Sequence, residues 1–319
     1  MTAAGGIAAA PRATVALYTH VACLDHDPGP GHPERVARLE AVLGALSADA
    51  FPTLLRREAP RASRAQLARV HARHLIDSII DHGPLHYWRM LDADTMMSPG
   101  SAEAAQRAAG AVCAAVDAVL GGDVQRAFCA VRPPGHHATT ANAMGFCLFN
   151  NIAVGAAHAL AAHGLERVAV VDFDVHHGNG TQDIFWSEAR VLYASTHQSP
   201  LYPGTGASDE TGLGNIINAP LPPDAGSSQF RTAFDTIVLP ALEAFAPQLV
   251  LVSAGFDAHR LDPLANLNLE AADYAWVTRR LVALAMRHAG GRLVSSLEGG
   301  YDLDALRESS AAHVAALLD

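Results

Sequence analysis

The stretch VAVVDFDVHHGNG, from Val168 to Gly180, joins an apolar strand pattern directly to a cluster of carboxylates and imidazoles. Three further stretches have the same order: FCAVRPPGHH (Phe128 to His137), LVLVSAGFDAH (Leu249 to His259) and RLVSSLEGGY (Arg292 to Tyr301). In open parallel α/β sheets, ligands bind beyond the carboxyl ends of the strands. The four stretches therefore predict one polar crevice, and their side chains are typical of a metal hydrolase.

Length, composition and charge limit the possible classes of protein. A chain of 319 residues, 50% of them hydrophobic, is long enough to bury one large α/β core. Because the composition shows no break, we predict a single catalytic domain over residues 1–319, with residues 1–13 as a flexible N-terminus. The net charge of −10 argues against nucleic acid as a partner, whereas a cationic substrate would be weakly attracted.

Targeting and redox features favour the cytoplasm. Every apolar run is shorter than the ~18 residues of a membrane span, and the N-terminal MTAAGGIAAAPRA lacks the basic start of a signal peptide. The four cysteines show no CxxC spacing, which indicates reduced thiols. We therefore expect a cytoplasmic protein with no membrane partner, and assembly into a homo-oligomer stays open.

Helical and strand-like patterns alternate along the chain. The first strand is predicted at Thr14 to Tyr18, and the glycine- and proline-rich stretch Pro200 to Gly226 is interpreted as a long functional loop. Helices are predicted from Pro33 to about Leu46, from a cap at Ser101 to Gly121, from Asn151 to His163, from Ser228 to Phe245, from Glu270 to His288 and from Asp302 to Leu318. This order predicts an α/β fold with a single open parallel β-sheet, helices on both faces and an active site at the carboxyl ends of the strands.

The segment after the Val168 strand carries three groups of the kind that bind metals. If the strand stays extended, Asp172, Asp174 and His176 lie on one face, because side chains alternate along a strand. With Asp257 from another strand end, these carboxylates and imidazole suit zinc and leave positions open for water and substrate. The alternative is a set of hydrogen-bonded polar groups, which explains one such residue better than four on two strands.

Two other strand ends carry groups that handle protons. Pro-Pro-Gly stiffens the chain before His136 and His137, and an imidazole of near-neutral pKa is the usual general acid or base. Two solvated loop histidines are the alternative. At the fourth strand end, two glycines allow close approach of the backbone, so the Tyr301 phenol could donate a hydrogen bond to a developing oxyanion. An ordinary interface tyrosine is the alternative there.

Six motifs occur in a fixed order: RPPGHHA, MGFCLFNN, DFDVHHGNGTQ, YPGTG, AGFDAH and EGGY. Together they resemble the histone deacetylase superfamily, which includes bacterial histone deacetylase-like amidohydrolases and acetylpolyamine amidohydrolases, and HHGNG and GFDAH resemble its class II members. The resemblance covers nearly the whole chain. It implies an arginase/deacetylase-like fold and the hydrolysis of an acyl-lysine or a related acylated amine to acetate and a free amine.

The resemblance also implies two metal ions. Zinc would be bound by three side chains, Asp174, His176 and Asp257. A monovalent cation, expected to be potassium, would be held by backbone oxygens of Asp172, Asp174, His176 and Thr196 and by the hydroxyl of Ser195. The potassium site follows from the resemblance alone.

The resemblance assigns roles to the proton-handling residues. His137 would take a proton from the attacking water and later deliver one to the leaving amine, while Asp172 positions His136. Tyr301 would polarise the acyl carbonyl together with zinc. Some relatives support the histidine at position 137 through a carboxylate, but this chain has Asn179 there, so the His137 imidazole should be driven less strongly towards its charged form.

The substrate-binding residues are inferred from the same motifs. Phe146 and Tyr202 resemble an aromatic pair that walls a narrow tunnel around an aliphatic acyl-lysine stem. Leu264 matches a gatekeeper position that is acidic in a polyamine-specialised relative, which favours acyl-lysine as the substrate. The other expected substrate contacts are Gly145, Pro134 and, as acidic residues of the rim, Asp25 and Asp27.

Alternatives to a protein deacetylase stay open. The first is an acetylpolyamine deacetylase, although the segment Arg73 to Pro99 lacks the long insertion that such enzymes use to narrow the tunnel. The second is a ureohydrolase-like binuclear manganese enzyme, for which DFDVHHGN offers too few bridging carboxylates. The third is a non-catalytic protein that binds acyl groups, against which the presence of Tyr301 and both histidines counts.

Overall fold

The computed structural model of the protein describes residues 13–319, and nearly all of the predicted flexible N-terminus, residues 1–13, lies outside this range. The strands are β1 (Val15–Thr19), β2 (Leu55–Glu58), β3 (Arg89–Asp92), β4 (Thr95–Met97), β5 (Arg126–Cys129), β6 (Val168–Asp172), β7 (Val191–Gln198), β8 (Ile216–Leu221), β9 (Leu249–Ala254) and β10 (Leu293–Leu297). Eight of them form one sheet in the order β2-β1-β5-β10-β9-β6-β7-β8, and β3 and β4 form a separate antiparallel pair.

Helices connect the strands and pack in two groups. They are α1 (Val36–Ala45), α2 (Arg64–Leu67), α3 (Arg73–Ile80), α4 (Ser101–Leu120), α5 (Asn151–His163), α6 (Asn179–Phe185), α7 (Ser227–Ala233), α8 (Leu239–Phe245), α9 (Ala271–His288) and α10 (Leu303–Leu318). One group consists of α4 packed on α5, and in the other α10 packs between α1 and α9. A 3-10 helix, Val21–Leu24, follows β1.

The sheet is parallel throughout, as predicted. Strands β5, β6, β7, β9 and β10 are buried along their whole length. A parallel sheet is covered on both faces, so its strands are nearly continuous apolar runs instead of alternating apolar and polar residues. This is why the sequence shows short apolar runs that end abruptly in polar residues.

One predicted helix is confirmed to the residue. It spans Asn151–His163, and at its start the side chain of Asn150 accepts a hydrogen bond from the N–H of Ala153. At its end Gly164 adopts a φ of 66°, a left-handed conformation that glycine takes without strain. The cap residues visible in the sequence therefore set both ends of α5.

Two predicted helix starts differ from the structure. The first helix begins at Val36 and not at Pro33, because Arg35 is still extended. The prediction that Ser101 caps α4 is wrong, since Ser101 is the first helical residue. Its hydroxyl lies 2.7 Å from Nδ1 of the buried His26 instead. A tertiary contact thus takes the hydroxyl that the sequence pattern assigned to a cap.

The stretch from Pro200 to Gly226 is not entirely a loop, because it contains β8. This strand lies at the edge of the sheet and pairs with β7, where Pro220 is opposite His197. Proline is tolerated in an edge strand, so its presence did not exclude a strand here. The helix predicted at Ser228–Phe245 is interrupted by a π-helical turn, Phe234–Val238, between α7 and α8.

Four buried histidines make the stability of the fold sensitive to acid. Burial lowers the pKa of His71 and His197 to about 4 and that of His177 and His313 to about 3. Below pH 6.5 the unfolded chain binds protons that these residues cannot accept in the folded state. The contribution of these four histidines to the free energy of unfolding therefore falls as the pH decreases from about 6.5 towards 4.

We expect His313→Gln to reduce this dependence on pH. His313 lies 2.6 Å from the Thr278 hydroxyl and 2.8 Å from the Ser295 hydroxyl, and glutamine retains a polar group there. Between pH 6 and 4 the slope of unfolding free energy against pH should decrease by about 1.4 kcal/mol per pH unit, the contribution of one proton. Urea unfolding at several pH values measures it, with the exposed His86→Gln as control, and an unchanged slope would contradict it.

Candidate active site

The four strands with polar ends are neighbours in the middle of the sheet, in the order β5-β10-β9-β6. All are parallel, so their carboxyl ends lie at one edge. The four polar strand ends therefore lie together, as the sequence predicted. The walls of the crevice at this edge come from the segments that follow these strands, and from the segments around β3, β4 and Tyr202.

Three candidate metal ligands meet in this crevice. One ligand atom each of Asp174, His176 and Asp257 lies within 4.8 Å of the others, and all three residues are buried. The Nδ1 atom of His176 is 3.1 Å from a carboxylate oxygen of Asp174 and 3.2 Å from one of Asp257. The structure thus brings together the three residues that the sequence assigned to zinc.

The backbone conformation that brings these residues together differs from the prediction. Strand β6 ends at Asp172, whose carboxylate accepts a hydrogen bond from the N–H of Asp174 (3.1 Å), and Asp174 in turn accepts the N–H of His176 (2.9 Å). Such side-chain to backbone bonds turn the chain, so the predicted extended strand is wrong. Asp172 consequently lies behind His136 and does not join the ligand group.

The donor set fits a divalent cation. The Oδ2 atom of Asp257 is fully buried without a hydrogen-bond partner, and Nδ1 of His176, 3.2 Å away, instead forms a hydrogen bond with Asp174. Burial and the nearby charge of Asp174 raise the pKa of Asp257 to about 6. A Cβ atom on Gly299 would lie 1.9 Å from this oxygen, so only glycine fits there. Two crowded carboxylates and one imidazole match the oxygen and nitrogen ligands of zinc.

The two adjacent histidines have different partners. Nδ1 of His136 lies 2.9 Å from the Asp172 carboxylate, and Nδ1 of His137 lies 2.8 Å from Oδ1 of Asn179. Burial alone would lower the pKa of His136, but Asp172 and Asp174 outweigh it and raise that pKa to about 10. Burial and the neighbouring imidazoles hold the pKa of His137 well below its usual value. The pair therefore combines a charged and a neutral imidazole.

A cavity of about 170 Å³ leads to these groups. It is lined by Asp94, His137, Gly145, Phe146, His176, Leu201, Tyr202, Leu264 and Tyr301. The set includes both predicted aromatic walls, the predicted gatekeeper and the phenol. Aromatic rings on a cavity wall can bury methylene groups without offering competing hydrogen bonds.

Three other predicted substrate contacts lie elsewhere. Pro134 is buried, and it does not line this cavity. Asp27 lines an adjoining cavity of about 460 Å³, which shares Tyr301 with the first. Asp25 is exposed, and its carbonyl accepts a hydrogen bond from the hydroxyl of Ser98. Pro134 thus does not line the narrow cavity, and the rim contacts of Asp25 and Asp27 stay predictions.

The sequence analysis missed two carboxylates of the site. Asp94 lines the cavity, and its Oδ1 accepts the N–H of Gly145 (3.0 Å). Asp262 accepts the N–H of Tyr301 (2.7 Å) and, through its other oxygen, the N–H of Leu264 (3.0 Å). The only sequence signals were an acidic turn in LDADT and an Asp-Pro pair in HRLDPL.

The backbone at Phe146 is held in an unusual conformation. Its φ is 67°, in the left-handed region that residues with a side chain rarely adopt. The N–H of Phe146 donates to the Thr95 hydroxyl (3.0 Å), next to the bond from Gly145 to Asp94. The hairpin of β3 and β4 therefore fixes this wall of the cavity, and strain of this kind commonly marks a ligand site.

The residues predicted to hold potassium lie beside the metal ligands. Asp172 and Ser195 face each other in the register of β6 and β7, and both are fully buried. The Ser195 hydroxyl lies 2.9 Å from Nδ1 of His197, while the hydroxyl of Thr196 is buried without a hydrogen-bond partner. Asp172, two residues before the candidate ligand Asp174, thus brings Ser195 near the metal-ligand group, and the bound cation stays a prediction.

A second group of metal-type residues lies on α4 and α5. Asp117 accepts hydrogen bonds at 2.7 Å from Nε2 of both His158 and His163. The Arg69 guanidinium lies 2.7 Å from Nδ1 of His158, and because a guanidinium only donates, the ring proton of His158 is on Nε2. This network is complete without an ion.

Comparison with known proteins identifies the family. Residues 32–317 match the family described as Histone deacetylase domain. The chain belongs to the histone deacetylase family. A histone deacetylase-like amidohydrolase of Pseudomonas aeruginosa is 45% identical over 277 residues, covering 84% of this chain and 71% of that protein. A probable deacetylase of Archaeoglobus fulgidus is 39% identical over 295 residues, covering 90% and 81%.

The comparison with solved structures agrees. The crystal structure of the HDA15 HD domain superposes with a TM-score of 0.91 at 39% identity, over 96% of this chain and 88% of that chain. Membership of the histone deacetylase family confirms the predicted fold. It also confirms the prediction that the protein is a hydrolase acting on amides. The family is generally metal-dependent, and this chain has a matching ligand group. Within residues 13–319, no helix is both long and apolar enough to cross a membrane.

The partner of His137 leads to a test of its protonation. We expect Asn179→Asp to place a carboxylate about 2.8 Å from Nδ1 of His137 and to raise the pKa of that imidazole by about 1 unit or more. A base with a higher pKa is protonated at higher pH, so the acid limb of kcat/KM should move to higher pH. Exposed Asn268→Asp adds the same charge elsewhere as a control, and an unmoved acid limb would exclude His137 as the base.

Proposed function

We propose that this chain is a zinc-dependent deacetylase that removes acetyl groups from acyl-lysine side chains or related acylated amines and releases acetate and a free amine. The observation that carries the proposal is the narrow cavity, which joins a metal-ligand group, a neutral imidazole and a buried phenol behind two aromatic walls. An amide is a poor electrophile with a poor leaving group, so its hydrolysis needs a Lewis acid, a base and an acid.

Zinc would be held by Asp174, His176 and Asp257, a three-ligand set that leaves room for water and substrate. When bound, the ion would polarise the acyl carbonyl and lower the pKa of water. The potassium ion would be held by backbone oxygens of Asp172, Asp174, His176 and Thr196 and by the hydroxyl of Ser195. The unpartnered Oδ2 of Asp257 supports the zinc site.

His137 is the residue best suited to move protons. Oδ1 of Asn179 only accepts hydrogen bonds, so the His137 proton is on Nδ1 and the lone pair on Nε2 is free to accept one. The low pKa of His137 keeps this atom unprotonated at neutral pH. It can therefore take a proton from the attacking water and return it to the leaving amine. His136, paired with Asp172, would supply a positive charge beside the reacting carbonyl.

Tyr301 would hold the oxyanion that forms on the acyl carbonyl. Burial raises the pKa of Tyr301 well above its usual value although the Arg38 guanidinium opposes the shift. The phenol therefore keeps its proton at neutral pH and can donate it in a hydrogen bond. Its position is set by Asp262, which accepts the Tyr301 N–H, and by Arg38, which lies 4.7 Å from the ring centroid.

The residues around the cavity favour acyl-lysine as the substrate. Phe146 and Tyr202 would pack on the four-carbon stem, and Leu264 offers no charge to pair with the secondary ammonium of a polyamine. Asp94 would accept a hydrogen bond from the substrate backbone. The same carboxylate, with the net charge of −10, favours a cationic acetylpolyamine as the second candidate.

Other candidates have less support. A binuclear manganese site would need more carboxylates than the three-residue group provides. A non-catalytic acyl-binding protein would not need the neutral imidazole and the phenol that this cavity retains. The four cysteines are buried free thiols, which supports a reducing compartment such as the cytoplasm. Among the relatives, one histone deacetylase of Arabidopsis thaliana is described as chloroplastic.

Metal analysis tests the zinc site. We expect about one zinc per chain in the wild-type protein and loss of at least 90% of it in Asp257→Asn, because one of three ligands loses its charge. Asp117→Asn, which alters the second metal-type group, should leave the zinc content unchanged. Mass spectrometry of the purified proteins for zinc, manganese and iron measures this. Zinc lost from Asp117→Asn, or manganese at two per chain, would contradict the assignment.

Competition between two substrates tests the substrate class. Wild-type protein with zinc is offered an acetyl-lysine peptide and an acetylated polyamine together, and products are followed by mass spectrometry, with the zinc-depleted Asp257→Asn as the blank. We expect the peptide to be consumed first. Leu264→Glu should shift the preference towards the polyamine by about 5-fold, the effect of one partly exposed ion pair of ~1 kcal/mol. Leu264→Gln is the uncharged control, and polyamine preference by the wild type would reverse the assignment.

A further inference from the structure

We infer that Glu298 is a positioning residue, whose carboxylate ties the segment after β5 to the segment after β10 so that His137 and Tyr301 face the same substrate carbonyl. The inference rests on the proposed function. Glu298 is fully buried and touches no substrate-lining surface of the narrow cavity. Any role of Glu298 in the reaction must therefore come from its contacts with other residues of the site.

The carboxylate of Glu298 makes three hydrogen bonds. Its Oε2 accepts the main-chain N–H of Gly135 (2.6 Å) and that of His136 (3.2 Å), and its Oε1 accepts the Ser253 hydroxyl (3.1 Å). Gly135 and His136 immediately precede His137, and Ser253 belongs to β9. One side chain on the β10 segment therefore holds the segment of one neighbouring strand and the end of the other.

The hydrogen bonds of Glu298 lie beyond the part of the sheet in which the strands are held in register by their main-chain hydrogen bonds. The register of β5 and β10 ends with Cys129 opposite Ser296, several residues before either His137 or Tyr301. Beyond this point the distance between the two segments depends on contacts such as those of Glu298. The adjacent Gly299 donates its N–H to Asp174 (2.8 Å), so the same short segment also meets a candidate zinc ligand.

A carboxylate is a costly group to bury at this position. Burial raises the pKa of Glu298 to about 7, and its three hydrogen-bond partners in the described part of the chain are uncharged. Oε2 of Glu298 accepts two successive main-chain N–H groups while Oε1 accepts the Ser253 hydroxyl. A side chain with a single hydroxyl group could accept the two N–H groups only if it gave up the bond to Ser253. A glutamine amide, by contrast, can accept both N–H groups with its oxygen and donate to Ser253 with its nitrogen.

This comparison defines the main experiment. We expect Glu298→Ala to lower kcat by about 10- to 100-fold, the usual effect of removing a group that orients the residues of a metal site, with KM within about 3-fold of wild type. Zinc content should not change. Glu298→Gln should restore kcat to within about 3-fold of wild type. Loss of activity in Glu298→Gln equal to that in Glu298→Ala would overturn the inference in favour of a role for the charge.

Two further variants separate positioning from general stability. Ser253→Ala removes one bond of Glu298 and keeps both N–H bonds, so kcat should stay near wild type. Asp273→Ala removes another buried carboxylate, which accepts bonds from Ser227 and Arg231 and from the start of α9. It should lower Tm about as much as Glu298→Ala without the loss of kcat. An equal loss of kcat in Asp273→Ala would show that Glu298 acts only through stability.

A double-mutant cycle tests whether Glu298 acts through the phenol. If Glu298 sets the position of Tyr301 relative to His137, then Glu298→Ala should lower kcat by at least about 3-fold less in a Tyr301→Phe background than in the wild type. Strictly additive effects on the activation free energy would contradict the inference. The cycle uses the acetyl-lysine peptide and measures kcat and KM separately.

Hydrogen exchange provides a readout that does not depend on activity. In Glu298→Ala, amides of residues 135–138 and 299–302 should exchange at least about 10-fold faster, while those of β6 and β7 stay unchanged. If the wild-type protein hydrolyses no acyl amide, the proposed function fails, but faster exchange in both segments would still support the tie. Unchanged exchange, or faster exchange in only one segment, would overturn it.

Discussion

Buried negative charge at one edge of the sheet is the constraint on which the rest of the site depends. Asp172, Asp174, Asp257 and Glu298 are each at most 1% exposed, and they lie at the ends of three neighbouring strands. Isolated buried carboxylates are unstable, so each must find donors or cations. Main-chain N–H groups of the turns, hydroxyl groups and imidazoles are the partners present, and the proposed divalent ion would add a cation.

A second network of buried charged residues supports the segment that carries the phenol of Tyr301. Glu34 pairs with the guanidinium groups of Arg38 and Arg132, and all three side chains are fully buried. Arg38 also donates to the carbonyls of Glu298 and Gly300, on either side of Gly299. Residues near the N-terminus thereby fix the segment that carries Tyr301. The candidate site is thus assembled by both halves of the chain and not by the strand ends alone.

The sequence predicted those parts of the site that depend on residues close together in the chain, and it missed those that depend on distant partners. The strand-end clusters, the bounds of α5 and the candidate ligands Asp174 and His176 are local patterns, visible within a dozen residues. Asp94 and Asp262 could not be found in this way, because they act on partners 51 and 39 residues distant. Their roles arise only when the fold brings these segments together. The edge strand β8 was missed for a related reason, since pairing with β7 outweighed its proline and glycine content.

The two hydrogen bonds of Asp262 connect properties that are usually considered separately. One oxygen holds the backbone of Leu264, at the mouth of the cavity, and the other holds the backbone of Tyr301, at the proposed reaction centre. Drift in the mouth segment during evolution would therefore move the phenol as well. Under the proposed function, one carboxylate would link selectivity to turnover, and a change of substrate preference at Leu264 would need compensation near Asp262.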